Sequence, residues 1–208
     1  MSCDHKYRKY LELNTIDFEP TTLIIGTFNP QWPDGNDAAW FYGRTDENFF
    51  WDILPRIYDQ SSMLHDGKEK WQQFCCSNKI ALTDLITSID DANEQSKKHN
   101  KVLGGFSDKA IVYNFDDFTF TNIIGILQKH SSIKNVYLTR GATESFWKHL
   151  WNPIVHYCNV HDLQQRILLT PTATDLYQHE AYNNDNPDAP IPLVQDYLLM
   201  RWQQEWHF

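Results

Sequence analysis

Basic residues are in short supply: 18 Lys and Arg stand against 27 Asp and Glu, a net charge of −9. That balance argues against a broad basic surface for nucleic acid. It leaves open phosphate contacts from backbone amides, hydroxyls and helix N-termini. Cysteine is scarce, with Cys3, Cys75, Cys76 and Cys158 in no CxxC pair, which disfavours zinc or iron–sulfur ligation and suggests reduced, buried thiols. No apolar run approaches the roughly 20 residues of a membrane span, so no membrane partner is expected. The N-terminal MSCDHKYRKYLEL lacks the apolar stretch of a signal peptide, and a cytoplasmic protein is the expectation. No GxSxG occurs, which removes support for a nucleophile-elbow hydrolase. Internal repeats and low-complexity segments are missing too.

What is present is a full-sized core. The 208 residues are 41% hydrophobic and 14% aromatic, enough for one domain spanning 1–208. Four apolar runs read as strands: Thr21–Ile25, Lys79–Ile86, Ile133–Thr139 and Arg166–Thr170. Helix-period sequence follows each. This alternation predicts an α/β three-layer sandwich, with a four-stranded, mainly parallel sheet flanked by helices. Thr45–Asn48 reads as a helix start before an apolar face of Phe49, Phe50, Ile53, Leu54 and Ile57. Thr119–His130 reads as a helix, Phe106–Phe118 as loop or a minor strand, and 183–192 as loop. Pro153 is expected to end the helix opened by Gly141–Thr143. Leu193–Trp206 closes the chain as an amphipathic helix with Leu193, Tyr197, Met200 and Trp206 inward.

Chemistry-bearing residues gather after the first strand. Gly26-Thr27-Phe28-Asn29-Pro30 is a polar loop at a strand's carboxyl end, where open α/β sheets bind ligands. Phe41-Tyr42-Gly43-Arg44 and Asn48-Phe49-Phe50-Trp51 follow. This ordered set resembles the front end of the uracil-DNA glycosylase superfamily, most like its hypoxanthine-DNA and mismatch-specific branches. Pro171-Thr172-Ala173-Thr174, after the fourth strand, is similar to that family's second motif. Two departures stand out. Phe49 and Phe50 separate Asn48 from Trp51, where the family has one residue. Ala173 and Thr174 occupy a place where some branches carry a His that stabilises the leaving base; His179 is off register.

The resemblance implies a DNA glycosylase of base-excision repair. Such an enzyme hydrolyses the N-glycosidic bond of a flipped hypoxanthine, xanthine or uracil, with no cofactor, as a monomer acting on damaged DNA. It implies Asn48 or Asn29 as the catalytic residue that places water. Asn48 is preferred, because Pro30 biases Asn29 toward an extended conformation that aims its side chain away. The base-binding set would be Thr27, Phe28, Tyr42, Thr83 and Asp84. Arg140, Thr170, Thr172 and Thr174 would meet the DNA backbone. On the residues alone, Asp84 could equally cap a turn, and Arg140 could sit in solvent. A positive potential from Lys97, Lys98, Lys101, Arg44 and Arg140 near the cleft is expected for a DNA substrate. A weak or inactive nucleic-acid-binding protein, or a hydrolase of a small nucleoside-like molecule, also fits the acidic balance.

Overall fold

A computed structural model of the chain describes residues 2–46, 48–173 and 176–207. Its centre is a four-stranded parallel sheet of β2 (Thr22–Gly26), β3 (Ile80–Asp84), β6 (Asn135–Leu138) and β7 (Gln164–Ile167). The spatial order is β3-β2-β6-β7, with Leu23 opposite both Ala81 and Val136. Buried apolar side chains alternate along the inner strands, and the period of two divides them between two cores. Leu23, Ile25, Ala81, Val136 and Leu138 face one core. There they meet α3 (Lys97–Gly104), α4 (Asp108–Asn114), α5 (Ile123–Lys129) and α6 (Ser145–Val160) through Leu103, Ile111, Ile126 and Trp147. Ile24, Ile80, Leu82 and Tyr137 face the other core. It is filled from α1 (Phe50–Ile57), α2 (Lys68–Ser77) and α8 (Val194–Glu205) by Trp51, Leu54, Trp71, Phe74 and Trp202. This is the expected three-layer α/β sandwich. The remaining helix, α7 (Leu176–Asp185), precedes α8.

Several local expectations are corrected. The run Lys79–Ile86 is two strands. After Asp84 the chain leaves the parallel sheet, Leu85 and Ile86 N–H donating to the carbonyls of Gly26 and Thr27. It re-enters as β4 (Ile86–Ile89) in a small antiparallel sheet of order β1-β4-β5, where β1 is Cys3–Asp4 and β5 is Phe118–Phe120. Phe118–Phe120 is thus strand, and the helix expected from Thr119 starts at Ile123 under the Asn122 cap, whose Oδ1 accepts from Gly125 N–H. Within the supposed loop 106–118, Ser107 caps α4. Pro153 does not end α6, because its ring lies on the solvent side and only one backbone bond is forfeited. The loop expected at 183–192 begins only after α7, and Leu193 is half exposed at 51%. Cys3, Cys75 and Cys158 are buried free thiols, whereas Cys76 is exposed. Among the described residues, no helix is long and apolar enough to cross a membrane.

Candidate functional site

The carboxyl ends of all four parallel strands open into one cleft of about 700 Å³. The loop after β2 supplies Thr27, Phe28 and Asn29, the end of β3 supplies Asp84, and β6 leads into Thr139 and Arg140. Thr170, Pro171, Thr172 and Ala173 come from beyond β7; Tyr42, Arg44 and Asn48 come from the segment before α1.

Asn48 does not lie in the first turn of α1. Its backbone forms an antiparallel bridge with Thr172, and Phe49 N–H donates to Pro171 C=O at 2.6 Å. Those bonds tie residues 48 and 49 to the loop after β7, and the helix starts at Phe50. Asn48 still supports the helix start, since its Oδ1 accepts from Phe50 N–H at 3.0 Å. The bridge brings the segment before α1 against the loop after β7 on one wall of the cleft.

Asn29 lines the cleft as well, contrary to the orientation expected from Pro30. Its carbonyl accepts from Lys6 N–H at 2.8 Å, and its Nδ2 lies 3.5 Å from Asp84 Oδ2. Thr83 and Asp84 part company because neighbouring strand residues point to opposite sides. Asp84 reaches the cleft; Thr83 is fully buried and donates to Leu11 C=O at 2.7 Å, so it is not a cleft residue. The floor carries a pair with no sequence signal. His5 Nδ1 accepts from Tyr7 N–H at 2.9 Å, which leaves the proton on Nε2 to donate to Asp84 Oδ2 at 2.6 Å. Both side chains are buried. Gly26 makes room for this arrangement, because a Cβ there would sit 2.2 Å from Asp84 Oδ1 and 2.8 Å from the Tyr42 hydroxyl.

Tyr42 adopts a left-handed backbone conformation (φ 56°) and stacks on Phe50, with ring centroids 3.8 Å apart and planes 3° apart. Its hydroxyl shares a 2.9 Å hydrogen bond with Thr139 Oγ1. Burial, and then the Asp84 charge, raise its pKa well above the ordinary tyrosine value.

Arg140 is not a solvent side chain. It donates to Asp108 Oδ2 at 3.0 Å, approaches Glu144 at 3.4 Å, and lies 3.9 Å above the Trp147 ring. Asp108 Oδ1 also accepts from Thr27 Oγ1 at 2.8 Å. Burial raises the Asp108 carboxyl, against the opposing pull of Arg140, and burial lowers the Arg140 guanidinium, against that of Asp108. Lys97, Lys98 and Lys101 of α3 do not line the cleft as expected; Arg44, Lys109 and Arg140 do, alongside Asp46, Asp84 and Asp108. His179 is buried elsewhere, bonded to Ile191 C=O and Asn183. Thr174 lies outside the described residues.

No family model matches this chain, and no curated protein does. Among solved structures, the solution NMR structure of a candidate uracil DNA glycosylase from Methanosarcina acetivorans superposes with a TM-score of 0.52. The match covers 88% of this chain and 93% of that one, at 13% identity. At such identity the likeness is one of architecture: this chain has a uracil-DNA glycosylase-like fold.

Proposed function

We propose that this protein is a DNA glycosylase that hydrolyses the N-glycosidic bond of a flipped, deaminated base, with hypoxanthine, xanthine and uracil as the substrates to test first. The observation that carries the reading is the junction of Asn48 with Thr172. Two segments far apart in sequence, each similar to a glycosylase motif, meet on one cleft at the strand ends. In this reaction water oxygen bonds to C1′ while the C1′–N bond breaks and its electron pair leaves with the base; the proton that the water sheds passes through solvent to the departing base. The sugar passes through an oxocarbenium-like state, so positioning matters more than nucleophile strength. Asn48 Oδ1, with one lone pair taken by Phe50 N–H, keeps a second for water. Tyr42 has one ring face on Phe50, and the other can stack on a base. The Asp84 carboxylate supplies negative charge near the developing cation.

Incubation with labelled duplexes bearing each base, followed by alkali, should give strand cleavage for at least one. Asn48→Ala should lower single-turnover excision on the order of 10²-fold, and Asn29→Ala by less. A dead Asn29→Ala beside a near-normal Asn48→Ala would reverse the assignment. The three cleft aspartates, one of them holding Arg140, favour a second reading, a hydrolase of free nucleosides. Release of base from inosine or xanthosine, with every duplex left intact, would select it.

A further inference from the structure

Five consecutive cleft residues, Gly105 to Lys109, span the turn joining α3 to α4 and the first two residues of α4, within a stretch that the family resemblance does not cover. This turn touches three of the residues expected to receive a nucleic acid. Asp108 accepts from Arg140 Nη1 at 3.0 Å and from Thr27 Oγ1 at 2.8 Å. The Phe106 ring lies 3.6 Å from the Arg44 guanidinium carbon. A carboxylate that accepts from a guanidinium and a hydroxyl at once makes the contacts a phosphate oxygen pair would make. Phe106 holds a left-handed backbone conformation (φ 49°), uncommon for a bulky side chain and sustained only where surrounding contacts favour it.

We infer that the α3–α4 turn, together with the start of α4, is an internal lid, in which Asp108 occupies the phosphate position at Arg140 and Thr27 and Phe106 covers Arg44. A phosphate that takes both of these contacts takes the place of Asp108. The lid also accounts for a cleft whose cations are no more numerous than its acids: part of its positive charge is engaged internally until a ligand arrives.

The inference rests on the nucleic-acid reading for one of two probes. The first is a fluorescent, undamaged oligo-deoxythymidine followed by anisotropy; the second is inorganic pyrophosphate followed by calorimetry. Asp108→Asn keeps the side-chain shape and removes the charge. Phe106→Ala uncovers Arg44 by an independent route and guards against a folding artefact in the first variant. Asp108→Asn should tighten pyrophosphate binding about tenfold, the size of an ordinary coupling between two sites. It should tighten oligonucleotide binding similarly, with a salt slope steeper by about 0.7 for one added phosphate contact on a single strand. Phe106→Ala should shift both in the same direction, and Arg140→Gln should cancel the Asp108→Asn gain. A gain for pyrophosphate with no oligonucleotide binding by any variant upholds the lid and overturns the nucleic-acid reading. Oligonucleotide binding by the unaltered protein, with no gain in either variant, overturns the lid and leaves that reading standing. No gain for either probe overturns the lid.

Discussion

A methyl group at position 26 would collide with the two side chains that define the cleft floor. A Cβ there falls 2.2 Å from Asp84 Oδ1, and Asp84 cannot retreat because His5 holds its other oxygen in a buried pair. Gly26→Ala should therefore lower stability by about 1–3 kcal/mol, the usual cost of overpacking, even at a favourable backbone angle. Urea denaturation measures this; an unchanged midpoint would show that Asp84 has more freedom than the His5 contact allows. At this scale much of the candidate site was legible. Thr27, Phe28, Asn29, Tyr42, Asn48, Asp84, Arg140, Thr170 and Thr172 all reach one cleft, although that placement leaves their roles to experiment. His5 was not legible, because a lone histidine near a chain start carries no pattern and acquires meaning only through β1 and the turn after it. Asp108 was hidden for a similar reason: in a polar, aspartate-rich stretch, nothing separates the one carboxylate that turns inward from its solvated neighbours.

Three elements of the parallel sheet could be read because β2, β3 and β6 are short, buried, largely apolar runs; the edge strand β7 is Gln164–Ile167, two residues earlier than the expected Arg166–Thr170, and is polar and partly exposed. The small antiparallel sheet could not be read. β1 has two residues and β5 three, too short for any periodicity, and β4 continues the same apolar run as β3. Only the departure at Leu85, fixed by bonds to Gly26 and Thr27, separates them. Helix α6 shows the limit of proline as a stop signal. Sixteen residues pass through Pro153, with Trp147, Trp151, Ile154 and Cys158 buried on its inner face. Packing of that face overrides the lost hydrogen bond. Pro153→Ala restores an N–H where the ring faces solvent, so it should stabilise the protein by about 1–2 kcal/mol after allowing for the more flexible unfolded chain. Thermal unfolding checks this, and a lowered midpoint would mean that the ring itself is packed.

Across the whole molecule, the sheet divides two cores and the cleft crosses the ends of all four strands. Pattern in the sequence announces the cores, since burial is repeated along β2, β3 and β6 and along the inner faces of α1 and α6. It announces the cleft only in fragments, because Asn48 and Thr172 acquire a shared role from tertiary pairing alone.

That pairing has a consequence for the timing of synthesis. Three of the four parallel strands, β3, β2 and β6, are complete once Leu138 has left the ribosome, and the sheet can assemble around β2 at that stage. The far wall of the cleft does not yet exist, because Thr170 to Ala173 have not emerged. Nascent chains stalled just after Leu138 clears the exit tunnel should resist proteolysis across β2 and β3 while binding no ligand. Capacity to bind should arise only when the loop bearing Thr172 emerges and closes on Asn48. Ligand capture by the shorter chains would show that the first three strands and the segment before α1 suffice. If it is absent, a protein of this design stays unable to bind ligand until its fold is nearly finished.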